Sequence, residues 1–143
     1  MILLDTNLLV YAHRSAAPEH SAAQRAIQQA CDDERGCGLS LPSVAEFLCV
    51  VTHPTASGRP SKPAEAERFL REIVDGGGVR IWTPAESFAL RLTQLATDMQ
   101  VSGPRIFDLQ IALIGFDNGA TEVWTHDRRF LVPRGLRVRD PLS

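Results

Sequence analysis

Four acidic residues lie in separate segments of this chain, each where an apolar run stops or a helix is expected to begin. They are Asp5, Glu46, Asp108 and Asp127. If the fold brings them together, each negative charge raises the pKa of its neighbours, and a cation is needed to keep them ionised. Hard divalent ions such as Mg²⁺ and Mn²⁺ prefer oxygen ligands of this kind. The first hypothesis is therefore a hydrolase that uses one or two such ions to generate hydroxide from water.

Other polar side chains stand close to the acids in sequence. Thr6 and Asn7 follow Asp5, and Thr125 precedes the last acid by two residues, so these three could orient a carboxylate or a water on the metal. Arginines are the candidates for contacts with a phosphate, because the guanidinium group offers a planar fork of donors. The candidates near the acids are Arg105, Arg128 and Arg129, whereas Arg137 and Arg139 are expected to be solvated.

An alternation of short apolar runs and amphipathic segments is expected to position these residues. Strands are predicted at 2–4, 38–41, 79–82, 121–125 and 136–140, and helices at 8–13, 19–33, 44–53, 64–76, 86–100 and 108–119. Such alternation predicts an α/β fold with a central, mostly parallel sheet flanked by helices. Ligands of these sheets bind outside the carboxyl ends of the strands. Asp5 and Asp127 follow strands directly, and Glu46 and Asp108 lie near helix starts, so we expect all four at one edge.

Two further features concern the connections between elements. The segment 54–63 contains three prolines with glycine and serine, and this composition predicts a loop. Thr83 and Glu86 have the spacing of a capping box, with Pro84 at the first helical position, and predict the start of the helix at 86–100.

Each acid also has an ordinary structural interpretation. Asp5 could cap the first helix, and Asp108 could cap its helix or lie in the first turn. Glu46 matches a capping box with Ser43, in which the carboxylate reaches back to the serine backbone. Asp127 could be a turn residue that bonds its own backbone. Taken singly, a cap or turn is the simpler explanation, but four caps have no reason to share one edge of a sheet.

Composition limits the classes of protein to consider. A chain of 143 residues with 44% hydrophobic content suits one domain over residues 1–143. No apolar stretch approaches the roughly 20 residues that cross a bilayer, and the N-terminus lacks the pattern of a signal peptide, so a cytoplasmic protein without a membrane span is expected. Three cysteines without a CxxC pair argue against a disulfide framework or zinc site. A net charge of −2 restricts any contact with nucleic acid to a local surface.

Four motifs occur in an order and spacing that resemble a known family: DTNLLVYA near the start, PSVAEF in the middle, and FDLQIA and THDRRF late in the chain. The chain resembles the PIN-domain ribonucleases, and more narrowly the VapC-type toxins of type II toxin–antitoxin pairs, over essentially its whole length. The resemblance implies a single α/β domain and a metal-dependent endoribonuclease. Structured or single-stranded RNA is the expected substrate, because sequence-specific readers of RNA usually bind unpaired bases. It also implies a homodimer, inhibition by a cognate antitoxin, and catalytic and metal-binding roles for Asp5, Glu46, Asp108 and Asp127.

Histidine chemistry is one alternative, since imidazole can bind metals or act as a general base. The four histidines share no HxxxH or HxH spacing, and we interpret them as surface or core residues: His13, His20, His53 and His126. His126 lies beside Asp127 and could reach the rim of a site formed by the acids, but adjacent positions on a strand point to opposite faces.

Two other functional classes are considered. An aspartyl-phosphate enzyme would also place an aspartate after the first strand, but the expected DxD pattern is replaced here by Asp5-Thr6-Asn7. A non-catalytic RNA-binding or interaction module with the same fold is the remaining alternative. The presence of all four acids argues against it.

Overall fold

Strands and helices alternate along the chain in the computed structural model, which describes residues 1–55 and 58–143. The strands are β1 (Ile2–Leu4), β2 (Cys37–Ser40), β3 (Arg80–Trp82), β4 (Glu122–Trp124) and β5 (Arg137–Arg139). The helices are α1 (Thr6–His13), α2 (His20–Asp32), α3 (Leu41–Thr52), α4 (Pro63–Arg71), α5 (Phe88–Met99) and α6 (Arg105–Asp117), and α4 continues into a π-helical turn at Glu72–Gly76. Among the described residues, none of the helices combines the length and apolar character that crossing a membrane requires.

The five strands form one sheet in the order β3-β2-β1-β4-β5, and every neighbouring pair is parallel. The central strand β1 is buried along its whole length, which explains why it is a continuous apolar run rather than an alternating one. Within the register of β1 and β4, Leu4 lies opposite Trp124. The predicted α/β fold with a parallel sheet is confirmed.

The hydrophobic core lies on both faces of this sheet. Ile2 and Leu4 face a cluster that includes Leu8 of α1 and Phe47 of α3. Leu3, which points to the opposite face, joins a second cluster with Ile111 and neighbouring residues of α6. Helices therefore cover both faces of the sheet.

Helix α6 approaches the central strand closely because residue 115 is a glycine. A Cβ atom at Gly115 would lie 2.7 Å from Cδ2 of Leu3, which is completely buried. The hydroxyl of Ser40, the last residue of β2, also donates to the Ile111 carbonyl of α6 over 2.7 Å. These two contacts fix α6 against the sheet, with its first turn near the carboxyl ends of the strands.

Four helix starts lie two or three residues from the predicted ones. Helix α1 begins at Thr6 rather than at residue 8. Helix α3 begins at Leu41 with Ser40 as its N-cap residue, so Ser43 already lies inside the helix. Helix α5 begins at Phe88, and the predicted capping box at Thr83 is wrong. Helix α6 begins at Arg105, three residues earlier than predicted.

The predicted loop at 54–63 is described only in part. Residues 54–55 and 58–62 lie outside helices and strands, as expected, and residue 63 already belongs to α4. Residues 56 and 57 of that prediction lie outside the described residues.

Candidate active site

The acidic edge is the part of the molecule at the carboxyl ends of the strands where Asp5, Glu46, Asp108 and Asp127 lie. Asp5 is its most deeply buried member. It follows β1 directly and is only 7% exposed. The Thr6 backbone N–H donates to its Oδ1 and the Thr125 hydroxyl to its Oδ2, each over 2.7 Å. Burial raises the pKa of Asp5 to about 7, against the two hydrogen bonds, and the charges of Glu46 and Asp108 raise it further. Asp5 therefore caps α1, as its structural interpretation predicted, and also stands among the other acids.

Thr125 meets Asp5 because of the register between β1 and β4. The Asp5 backbone N–H donates to the Trp124 carbonyl over 3.0 Å, which brings the residues after both strands together. The Thr125 hydroxyl then accepts from Asn7 Nδ2 over 3.2 Å and from the Asp127 backbone N–H over 3.0 Å. Thr125 thus connects the buried Asp5 to the exposed Asp127.

Glu46 lies in the second turn of α3 and is held there by its neighbour Phe47, which is fully buried. Partial burial of the carboxylate raises the pKa of Glu46 although much of the residue is exposed, and the Thr6 side chain partly opposes the rise. Thr6 Oγ1 is buried and makes no hydrogen bond of ordinary geometry within the described part of the chain. The capping box predicted for Ser43 is wrong, so capping does not explain Glu46.

Asp108 lies in the first turn of α6 and is half-buried, next to the fully buried Leu109. Burial raises the pKa of Asp108, and the charges of Asp127 and Glu46 add to the rise. Arg105, one turn earlier on the same helix, opposes it. The first-turn position agrees with one structural interpretation of Asp108, but the raised pKa shows that burial and repulsion from other acids outweigh local stabilisation.

Asp127 is exposed at the rim of the edge. Its Oδ1 accepts the Arg129 backbone N–H over 2.8 Å, which is the turn contact expected of a short acid in this place. The same side chain contributes to the raised pKa of Asp108. Asp127 is therefore both a turn residue and a member of the acidic edge.

The four acids form a connected set of repelling charges. Among the ion pairs of residues 1–55 and 58–143, none includes any of the four. In the same residues, no three histidine, cysteine or acidic side chains are already arranged as ligands for a metal ion. The possible ligands are hard carboxylate oxygens and the buried Thr6 hydroxyl, which makes no hydrogen bond of ordinary geometry among the described residues, and this set fits a hard divalent cation.

Three arginines lie near the acids, and two others belong to β5. A guanidinium N–H of Arg105 donates to the Arg129 carbonyl over 2.9 Å and ties α6 to the turn after Asp127. Arg128 and Arg129 are exposed and form no ion pair within the described residues. These three cations lie at the rim of the acidic edge.

The two arginines of β5 are exposed, as expected, but they are also engaged. Arg137 pairs with Glu122 at 3.6 Å, and the Arg139 guanidinium lies 4.7 Å from the centroid of the Trp124 ring. Both contacts hold the edge strand β5 against β4.

Three residues near the acids were not assigned to the site from the sequence: Tyr11, His126 and Asp140. The rings of Tyr11 and His126 are in contact, and Asp140 accepts from His126. Asp140 follows β5 directly, as Asp5 follows β1, and this position was a usable signal. His126 was expected at most to reach the rim.

Residues 2–135 match the family described as PIN domain. The chain belongs to the PIN domain family. The family and the fold expected from the four motifs are confirmed, since this PIN domain has the predicted parallel sheet flanked by helices.

Curated relatives of this PIN domain cover almost the same length. Ribonuclease VapC43 of Mycobacterium tuberculosis is 31% identical over 143 residues, which are 100% of this chain and 97% of the relative. Ribonuclease VapC48 of the same species is 29% identical over 139 residues, 97% and 96% of the two chains. Among solved structures, M. tuberculosis VapC20, described as a toxin that cleaves the sarcin–ricin loop, superimposes with a TM-score of 0.68. It is 12% identical and the match covers 91% of this chain and 92% of VapC20, so this likeness shows the fold.

Proposed function

We propose that this PIN-domain protein is an endoribonuclease that depends on Mg²⁺ or Mn²⁺. The observation that carries the proposal is the set of four acids at the carboxyl edge of the sheet, none of which belongs to an ion pair within the described residues. Two of the relatives are named ribonucleases, which supports RNA as the substrate. One or two ions fit the proposal equally well.

In this proposal Asp5, Glu46, Asp108 and Asp127 hold the divalent cation. A bound ion would supply Lewis-acid chemistry, lowering the pKa of water and offsetting negative charge on the phosphodiester. A cation beside Asp5 would also favour its charged form and reverse the effect of burial on its pKa.

The surrounding residues hold the acids and the substrate in place. The Thr125 hydroxyl fixes the orientation of the Asp5 carboxylate, and Asn7 in turn fixes Thr125. Arg105, Arg128 and Arg129 offer donors to RNA phosphates at the rim, where the fork of the guanidinium group suits two phosphate oxygens. The RNA backbone would then pass over the exposed acids toward the buried Asp5.

Cleavage of total RNA by the purified protein tests this proposal. We expect cleavage with Mg²⁺ or Mn²⁺ and none in excess chelator. Asp108→Asn should abolish cleavage, whereas Glu122→Gln, a matched acid-to-amide change at the other end of the sheet, should retain it. Cleavage that survives Asp108→Asn or persists in chelator would contradict the proposed chemistry. RNA binding without any cleavage would favour a non-catalytic RNA-binding module.

We further propose that the protein is the toxin of a toxin–antitoxin pair and acts in the cytoplasm on cellular RNA. The support is the similarity to proteins named VapC, among them the solved VapC20, which is described as a toxin. Expression alone should arrest growth, and co-expression of the neighbouring reading frame, the expected source of a cognate antitoxin, should relieve the arrest. Harmless expression of active protein, with no small protein copurifying, would remove the toxin role and leave the nuclease role.

A homodimer is proposed on the same resemblance. Light scattering of the purified protein should give twice the mass of the 15.7 kDa chain. A monomer at all concentrations would contradict it without affecting the proposed chemistry.

A further inference from the structure

Two aromatic rings lie beside the acidic edge and make contacts that the proposed chemistry does not use. Tyr11 of α1 and His126 pack edge to face, with ring centroids 6.1 Å apart and ring planes at 79°. Both residues are half-buried. Burial raises the pKa of Tyr11, and the charges of Glu19, Asp127 and Asp5 add to the rise, so its hydroxyl lies in the field of the acids.

Asp140 holds the histidine ring of this pair. Its Oδ2 and Oδ1 lie 2.9 and 3.1 Å from His126 Nδ1. The Asp140 carboxylate is itself fixed, because Oδ1 accepts the Leu142 backbone N–H over 2.9 Å and Oδ2 accepts the Ser143 hydroxyl over 2.7 Å. The carboxylate therefore sets both the orientation of the ring and the nitrogen that carries its proton.

The remainder of the His126 ring is available to a ligand. With the proton on Nδ1, Nε2 can accept a hydrogen bond, and it has no partner within residues 1–55 and 58–143. The side chain is 35% exposed. A purely structural anchor would require only the bond to Asp140 and could bury the rest of the ring. Proteins that bind single-stranded RNA use rings in this situation to stack on bases and to bond their edges.

The position of the rings relative to the acids agrees with such a ligand. His126 directly precedes Asp127, and the exposed Arg128 and Arg129 directly follow it. A strand whose phosphate lies at the acids and arginines would therefore bring an adjacent base to the Tyr11–His126 pair.

We propose that Tyr11 and His126 bind the nucleobase next to the scissile phosphate, and that Asp140 is the positioning residue that holds His126 for this contact. The inference rests on the proposed function, because it is the acids that place the phosphate. It adds a base-contacting surface to a site otherwise built from charges.

Binding of short fluorescent RNAs tests the contact without requiring cleavage. All proteins keep the four acids, and Ca²⁺ replaces Mg²⁺ so that a hard cation is present, with probe integrity checked by gel after each titration. The probes are oligo(A), oligo(C), oligo(U) and an abasic ribose-phosphate strand of equal length. Adding His126→Ala should weaken binding of the tightest homopolymer by about 10-fold and leave the abasic strand unchanged, since only the base contact is lost. Adding His53→Ala, a change at an exposed histidine of a surface loop, should alter neither.

The positioning role of Asp140 has its own measurement. Asp140→Ala should reproduce the loss seen with His126→Ala, and the double variant should lose no more than either single one, because both changes remove one contact. Asp140→Asn retains an acceptor for Nδ1 and should restore most of the homopolymer binding. Unfolding midpoints of all variants show whether a loss comes from the contact or from the fold.

Two outcomes would overturn this inference, and a third separates it from the proposed function. Equal weakening of the homopolymer and the abasic strand would mean that His126 acts only through the fold. Unchanged binding of every probe, with loss of a copurifying protein instead, would assign the rings to a protein partner. A wild-type protein that cleaves no RNA under any condition, but whose base-dependent binding is lost in His126→Ala, would contradict the proposed function and retain the base contact.

Discussion

Acidic side chains at the two ends of the sheet lie in different electrostatic surroundings, which shift their pKa values in opposite directions. At the carboxyl end, burial and neighbouring acids raise the pKa values of Asp5 and Asp108, and burial raises that of Glu46. None of these acids belongs to an ion pair within the described residues. At the amino end, arginines lower the pKa values of Asp33 and Glu122. Arginines thus pair with Asp33 and Glu122 at the amino end, whereas Asp5, Glu46 and Asp108 have no ion pair at the carboxyl end. Asp140, which His126 contacts, is the exception there.

The amino end is a small network centred on Arg35. Its guanidinium donates to Asp33 Oδ1 and to Glu122 Oε2, each over 2.9 Å, and Arg137 lies 3.6 Å from the other Glu122 oxygen. Hydrogen bonds from Arg35 lower the pKa of Asp33 to about 2. The network connects the loop before β2 with the first residues of β4 and β5.

The difference shows where function departs from stability. Acids without counter-charges destabilise a folded chain that holds no cation, and a protein gains nothing from keeping them unless a ligand binds there. The arginines near the carboxyl end lie at the rim, where Arg105 bonds a backbone carbonyl rather than an acid. At the amino end, arginine side chains neutralise the acids. The carboxyl end is suited to an external cation instead.

The two ends should differ most in how they change the free energy of unfolding with pH, measured in chelator so that no divalent cation is bound. Asp5 has a folded pKa of about 7 against 3.8 when unfolded, so its contribution is fully present below about pH 4 and is lost as the pH rises through 7. Between those values the folded state binds more protons than the unfolded state. Glu122, whose pKa is lowered, contributes in the opposite direction: its stabilisation is present above its unfolded pKa and lost as the pH falls.

Replacing Asp5 by Asn should remove this loss at the carboxyl end. Urea unfolding from about pH 5 to about pH 8 should show a decrease in the free energy of unfolding of a few kcal/mol in the wild type and a much flatter profile in Asp5→Asn. Saturating Mn²⁺ should restore the free energy of unfolding that the wild type loses at the higher pH, and should leave that of Asp5→Asn unchanged. Identical profiles for the two proteins in chelator would refute the contrast between the two ends.

Thr125→Val removes the hydroxyl that holds Asp5 while leaving all four acids in place. We expect RNA cleavage to fall by about 10- to 100-fold, as is usual when a group that orients a ligand is lost. Thr125→Ser should restore most of the rate, and Thr97→Val on the exposed face of α5 is the matched control. A rate unchanged in Thr125→Val would show that Asp5 needs no such support.

Gly115→Ala tests whether the carboxyl end depends on the close approach of α6. The added methyl group would meet Leu3 at 2.7 Å, and Leu3 is fully buried, so the helix or the strand must shift. We expect a loss of about 1 to 3 kcal/mol in unfolding free energy. Thermal unfolding measures it, with the exposed Gly76 as a control position. A stability gain would mean that the core accommodates the methyl group.

Arg35→Ala should have the smallest effect, because the network at the amino end is exposed and screened by water and salt. We expect a slight drop in the unfolding midpoint that shrinks as salt is added, with RNA cleavage unchanged. Loss of cleavage in this variant would show that the two ends of the sheet are coupled.

Much of this arrangement follows from the sequence. The continuous run Ile2–Leu4 predicted a strand buried on both faces, and the alternation of elements predicted the parallel sheet. The rule that ligands bind at the carboxyl ends of strands then placed four acids from distant segments at one edge, and the structure connects their charges there. Family motifs identified the PIN domain over nearly the whole chain.

Other features depend on contacts that local patterns do not contain. The capping box predicted at Ser43 was wrong because Ser40 is both the last residue of β2 and the N-cap residue of α3. The helix therefore begins earlier than the capping pattern suggests. Arg35 and Glu122 are far apart in the chain, and only the pairing of the strands brings them together. His126 and Asp140 meet for the same reason, because β4 and β5 end side by side.

Binding of Mn²⁺ by the purified protein at neutral pH tests the central claim most directly. The electron paramagnetic resonance signal of free Mn²⁺ disappears on binding and reports occupancy without any RNA. We predict saturable binding in the wild type and in Glu122→Gln, and its loss in Asp108→Asn. Absence of binding in the wild type, or equal binding in all three proteins, would contradict a cation site at the carboxyl end of the sheet.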